Sequence, residues 1–220
     1  FTRVSPGDIA AGSLRSKFDV LVLANDGTLL ECAGRGGRGA APPGGAARGA
    51  DPAQPLPAVN GARIRAIDEF VKSGGTLVCL NRASIFAIDQ LKLPVRNVTA
   101  GVGRQDFFVG GSLLQVTTDP AHRVMAGMPD KAAVFFDNGP VFETLVGFKG
   151  AVLAGYDQTG TPLLSGFLLG EKHLQGRAAA LDVEYGNGHV VLFGFRPQWR
   201  GQPFGTFRVI FNAILMGGTN

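Results

Sequence analysis

Two short runs constrain this chain more than anything else in it: Phe18-Asp-Val-Leu-Val-Leu-Ala-Asn25 and Thr76-Leu-Val-Cys-Leu-Asn81. Neither alternates between apolar and polar positions, so both read as strands buried on two faces, as happens where helices cover a parallel sheet. Between the runs, Ile64, Ile67, Phe70 and Val71 recur at helical spacing after Asn60, a suitable N-cap, and before Gly74-Gly75, which ends a helix. A second helix is expected from Ala83 to Leu91, stopped by Pro94. The resulting βαβα rhythm predicts an α/β domain with a mostly parallel sheet and flanking helices.

The middle of the chain departs from that rhythm. Ser112 to Thr118, Ala132 to Phe136 and Ala151 to Ala154 read as strands separated by Asp119-Pro120 and Gly127-Met-Pro129, which predicts an antiparallel extension. Arg177 to Glu184 and His189 to Phe195 flank Tyr185-Gly-Asn-Gly188, a strong hairpin signal. A last helix from about Phe204 to Met216 places Phe207, Ile210, Phe211 and Ile214 on one face, the expected core face. At the other terminus, Phe1 to Pro6 reads as a strand, and a first residue that is not Met predicts a polypeptide that continues upstream.

With 220 residues, of which 45% are apolar, the chain is read as one domain over 1–220. Within it, 20 of the 30 residues from Glu31 to Asn60 are Gly, Ala or Pro. Such a stretch buries too little apolar surface to offset its chain entropy, so 31–60 is expected to be a disordered insertion.

The net charge of +4 is spread along the chain, and the only arginine–glycine cluster is Arg35-Gly-Gly-Arg38-Gly, so no nucleic-acid footprint is expected. No apolar run approaches the length of a bilayer crossing, and no membrane association is expected. Cys79 lies inside an apolar strand, where a thiol acts as a small core group, and a bridge to Cys32 is not expected. His122, His173 and His189 lack the spacing that sets two zinc ligands on one helical turn, and read as surface or strand-end histidines. Neither glycine-rich phosphate-loop pattern precedes a helix. No cofactor or metal is therefore expected in this chain.

One constellation remains. Leu80-Asn81-Arg82-Ala83-Ser84 is a strand turning sharply into a helix, and Phe195-Arg-Pro-Gln198 closes a later strand. The pair resembles the site of class I glutamine amidotransferases, where a Cys occupies the first turn and His-Pro-Glu follows the later strand. Here Asn81-Arg82 and Arg196-Pro197-Gln198 stand in those places. Nucleophile, base and orienting carboxylate are all missing, because Arg accepts no proton near neutral pH and Gln carries no charge. No catalytic residue is assigned. Asn81, Arg82, Arg196, Gln198, Trp199 and Arg200, with Asn25 and Asp26, are expected to ring a crevice beyond the strand ends, where open α/β sheets bind ligands.

The resemblance extends over nearly the whole chain. Asp8-Ile-Ala-Ala-Gly12, Gly74-Gly-Thr-Leu, Phe86-Ala-Ile, Leu93-Pro-Val-Arg-Asn97, Gly111-Ser-Leu-Leu, Pro140-Val-Phe142, Leu164-Ser-Gly-Phe167, Gly194-Phe-Arg-Pro-Gln-Trp-Arg-Gly-Gln-Pro203 and Thr206-Phe207 carry it. They are similar to the glutamine amidotransferase-like (flavodoxin-like) domain at the C-terminus of bacterial M14-family zinc carboxypeptidases. That resemblance implies an upstream peptidase domain that holds the zinc and partners this one, and a secreted or periplasmic setting. It also implies a first strand and helix ahead of Phe1 that this chain lacks. The role it implies here is a non-catalytic accessory domain that packs on the peptidase or on its own copy. The alternatives are a carboxylate- or sugar-binding module and a divergent amidase or glutaminase.

Overall fold

The computed structural model describes residues 1–24, 61–199 and 204–218. Its elements are α1 (Pro6–Ala10), β1 (Val20–Leu23), α2 (Gly61–Lys72), β2 (Thr76–Leu80), α3 (Ala83–Leu91), β3 (Val95–Asn97), β4 (Gly110–Thr118), β5 (Lys131–Asp137), β6 (Phe142–Thr144), β7 (Gly150–Gly155), β8 (Leu163–Ser165), β9 (Ala178–Tyr185), β10 (Gly188–Phe193) and α4 (Phe207–Gly217). The sheet runs β1-β2-β10-β9-β7-β4-β5, with β3, β6 and β8 attached beside this path. The fold is α/β with a curled mixed sheet and few flanking helices, consistent with a flavodoxin-like or amidotransferase-like arrangement.

Two halves meet at β10. On one side β10 pairs in parallel with β2, His189 opposite Thr76 and Phe193 opposite Leu80, and β2 pairs in parallel with β1. On the other side β10 folds back antiparallel on β9 through the expected Tyr185–Gly188 turn, and every pairing further out is antiparallel. The extension anticipated for the middle of the chain is present as β4, β5 and β7. The three-residue strands β3, β6 and β8 carry too short a pattern to be read from sequence.

Side-chain alternation along the central strands supplies two cores. Leu77 and Cys79 of β2, Val190 and Leu192 of β10, and Leu181 and Val183 of β9 face Ile67, Phe70 and Val71 of α2 and Phe86 of α3. Val78, Leu80, Val191 and Phe193 face the opposite way, toward Val209, Ala213 and Met216 of α4 and the inner residues of β4, β5 and β7. The unbroken apolar run of β2 is therefore buried on both sides, as its sequence requires.

Three expectations are corrected. Phe1 to Pro6 is not a strand: Ser5 caps α1, its Oγ accepting from Asp8 N–H while the Asp8 carboxylate accepts from Ser5 N–H, and Pro6 suits the first turn. β1 is not buried on both faces, since Leu21 and Leu23 are buried but Val22 is exposed. Among the described residues β1 is the edge of the sheet, with β2 as its one strand partner. Helix α4 is rotated from the expected orientation: Val209, Ala213, Met216 and Gly217 are buried, while Phe211, Ile214 and Leu215 are exposed. The cause is close approach. A Cβ at Gly217 would overlap side-chain atoms of Val20 and Thr76, so the helix sits on the sheet through its small residues and turns its larger ones outward. The expectations for Cys32 and for the insertion at 31–60 fall outside the described residues. Cys79 is a free, fully buried thiol.

Phe70 couples α2 to the sheet and is 1% exposed, its ring lying against Gly75. Phe70→Ala is expected to cost about 3–5 kcal/mol, read from the urea unfolding midpoint at unchanged slope.

Candidate functional site

The turn after β2 has the backbone of a strand-to-helix elbow. Asn81 adopts a left-handed conformation with φ 52°, which Asn tolerates better than most side chains, and α3 begins two residues later. Its main-chain N–H donates to Phe193 O at 2.8 Å, joining the elbow to the end of β10. Its side-chain Nδ2 donates to Asp137 O at 3.3 Å, joining it to the end of β5. Asn81 is itself fully buried, so it forms the floor of the site rather than its rim.

The nearby hydroxyl and thiol are both buried. The Ser84 hydroxyl is buried and shares its proton between Phe193 O at 3.0 Å and Cys79 O at 3.2 Å. Cys79 points into the core beneath α2 and α3, where burial pushes its thiol up and holds it protonated. His189 opens β10 opposite Thr76 at the far end of the strands, and no histidine is registered beside the elbow.

From β10 the chain runs through buried Gly194 and Phe195 to Arg196, whose N–H donates to Phe135 O at 2.9 Å. The Arg196 guanidinium pairs with Asp137 Oδ2 at 3.0 Å and lies 4.3 Å above the Trp199 ring. Trp199 in turn stacks on Phe135, with ring centroids 6.2 Å apart and planes 12° from parallel. Burial pulls the Arg196 guanidinium below its usual value, Asp137 opposes that, and the like charge of Arg82 reinforces it. The Arg196 Nε is buried and meets no acceptor among the described residues.

Two glycines let three segments close here. A Cβ on Gly139 would overlap Gly194 O and Asn81 Oδ1, and one on Gly194 would overlap Pro140 O. The structure thus brings Asn81, Arg82, Arg196 and Trp199 to one place. Gln198 is exposed beside them, and Arg200, Asn25 and Asp26 lie outside the described residues. The residues that sequence reasoning missed are Phe135 and Asp137. The only signal was the turn-forming string Asp137-Asn138-Gly139-Pro140, where Asn138 is left-handed at φ 48°.

The histidines are not all isolated. Asp182, 3% exposed, is approached by His189 Nδ1 at 3.0 Å and by His122 Nε2 at 3.3 Å. His122 Nδ1 accepts from Val124 N–H, so the tautomer with the proton on Nε2 is the one that can donate to Asp182. His122 and His189 thus meet at one carboxylate, a proximity that their spacing in the chain does not reveal. Among the described residues no group of three or more His, Cys, Asp or Glu is placed to hold a metal ion, and no helix is long and apolar enough to cross a membrane.

No protein-family model matches the chain, and neither does any curated protein. Solved structures with some likeness include a cytoplasmic protein of Salmonella typhimurium, at 16% identity and TM-score 0.45 over 72% of this chain and 61% of that one. A GMP synthase-like protein of Thermoplasma acidophilum has 9% identity and TM-score 0.44, over 71% of this chain and 65% of that one. A ThuA-like protein of Parabacteroides merdae has 16% identity and TM-score 0.42, over 71% and 66% respectively. The chain spans less than two thirds of the length of each of these proteins.

Two measurements test the electrostatics. Asp137→Ala leaves the half-buried Arg196 without its carboxylate and is expected to destabilise the fold by about 1–3 kcal/mol, with Asp137→Ala/Arg196→Met recovering part of the loss. The Asp182 hydrogen bond raises the His189 pKa above its ordinary value, with Asp182 and Glu184 charges adding to it and burial opposing. A raised folded-state pKa contributes stability that is fully present below the unfolded value near 6.5 and is lost as pH rises through the folded value. Unfolding free energy should therefore fall as pH rises above the unfolded value near 6.5, and fall less steeply in His189→Gln.

Proposed function

We propose that this chain is a non-catalytic accessory domain built on a dismantled amidotransferase site, and that its parent is a bacterial zinc carboxypeptidase of the M14 family. The observation that carries the non-catalytic reading is the elbow. Its backbone is that of a nucleophile turn, yet position 81 holds a buried Asn, Ser84 is engaged by two carbonyls, and the Cys79 thiol faces the core. Across the site an arginine locked to Asp137 stands where a histidine would be needed. The parentage rests on the sequence resemblance, above all the Gly194 to Pro203 string. In this reading the zinc and its ligands belong to the peptidase domain, and the present domain packs on that domain or on its own copy in a homo-oligomer.

A second reading is favoured by the unmatched Arg196 Nε and the half-exposed Trp199. A carboxylate or sugar entering over Trp199 would meet Arg82, Gln198 and the arginine–tryptophan stack, which suits planar or ring-bearing groups.

The purified chain should release no ammonia from glutamine or peptide amides above the buffer rate, and Cys79→Ala and Ser84→Ala should match it. A rate abolished by Cys79→Ala would overturn the non-catalytic reading. Translation of the upstream reading frame checks the parentage: a His-x-x-Glu pair with a distant His is expected, and an unrelated domain there refutes it. Carboxylate titration of Arg196→Ala against the unaltered chain decides the second reading.

A further inference from the structure

Beyond Gly139 the same segment leads to a second cluster of charges. Val141 N–H donates to Asn97 Oδ1 at 3.1 Å, and Glu143 of β6 lies directly opposite Arg96 of β3. One oxygen of the Glu143 carboxylate accepts from Arg96 and the other from Arg177. These two bonds hold the Glu143 carboxyl well below the usual range. Arg177 is anchored just ahead of β9: its N–H donates to Leu174 O at 2.9 Å, and its carbonyl accepts from Tyr156 N–H at 2.9 Å. Asn97 Oδ1 also accepts from Thr99 N–H and Thr99 Oγ1, which fixes the loop after β3.

Beside this pair lies a cleft of about 350 Å³ walled by Arg96, Asn97, Lys172, His173, Arg177 and two small apolar residues of the loop. Among the described residues no carboxylate lines it. Glu143 holds the arginines from outside the wall, and Glu171, next to Lys172 in the chain, is not part of it. His173 Nε2 is buried without a hydrogen-bond partner among the described residues, the kind of orphaned polar atom that a bound group or its water satisfies.

We propose that this cleft binds a phosphoryl dianion, as free phosphate or as a small phosphomonoester. Arg96, Arg177 and Lys172 bring three positive charges to the cleft, and Glu143, paired with both arginines, meets one of them, which leaves a surplus of two. That surplus matches a dianion. Guanidinium groups are suited to phosphoryl oxygens because their planar forks donate in pairs, and Lys172 adds a mobile point charge. Glu143 has already fixed both forks, so binding orders few side chains. The cleft sits near the lower end of the size range of ligand pockets, which restricts the occupant to a small molecule.

The test is a calorimetric or NMR titration of the full chain at low ionic strength with inorganic phosphate, glycerol 3-phosphate and acetate. Saturable one-to-one binding of phosphate or glycerol phosphate is expected, weakened about tenfold or more in Arg177→Gln and several-fold in Lys172→Gln. Lys172 is exposed, so Lys172→Gln reads the charge without disturbing the fold. Tighter binding of glycerol phosphate assigns the site to phosphomonoesters, and equal or weaker binding assigns it to the free ion. Absence of saturation at tens of millimolar, equal binding in both variants, or acetate competing as well as phosphate would overturn the proposal.

Discussion

The structure depends on one pairing, the parallel ladder between β2 and β10. It brings a strand from the first half of the chain against one from near its end, and β10 is also half of a tight hairpin with β9. One strand thus joins a parallel α/β half to an antiparallel half. Because both faces of β2 and β10 are covered, any shift of register by one residue would turn Leu77, Cys79, Val190 and Leu192 toward the wrong core. The ends of these two strands therefore arrive side by side with little freedom, and the elbow at Asn81 and the turn at Gly194 inherit their closeness from that ladder.

At those ends the charged groups complete a stack. Arg196 pairs with Asp137 and lies over Trp199, which in turn stacks on Phe135. The glycines at 139 and 194 are what allow the segments to come so near. The cluster around Glu143 is organised differently, with a single acid restraining two bases from behind an open wall. The segment 137–143 serves both places, supplying Asp137 to one and Glu143 to the other.

How much of this was legible depended on range. β2, α3 and the Tyr185–Gly188 turn could be read because each is encoded by adjacent residues. The Arg196–Asp137 pair could not be read, since no local pattern says which strand end will stand beside Arg196. The union of His122 and His189 on Asp182 was hidden for the same reason. In α4 the local pattern was misleading: large apolar residues at helical spacing pointed to one face, but Ala213 and Gly217 let the opposite face approach the sheet more closely. Small residues win such a contest when backbone proximity matters more than side-chain volume.

The left-handed Asn81 also bears on how freely this turn can change. Its side chain is built into the neighbouring segments. The Asn81 amide bridges to the β5 terminus, and Gly139 packs against its carbonyl oxygen and against Gly194 O. A residue without a side-chain amide at position 81 would lose the bridge and remain in a conformation that suits Asn or Gly better. The elbow, the Asp137–Gly139 turn and Gly194 therefore behave as one keyed joint, in which no segment can be altered without the other two.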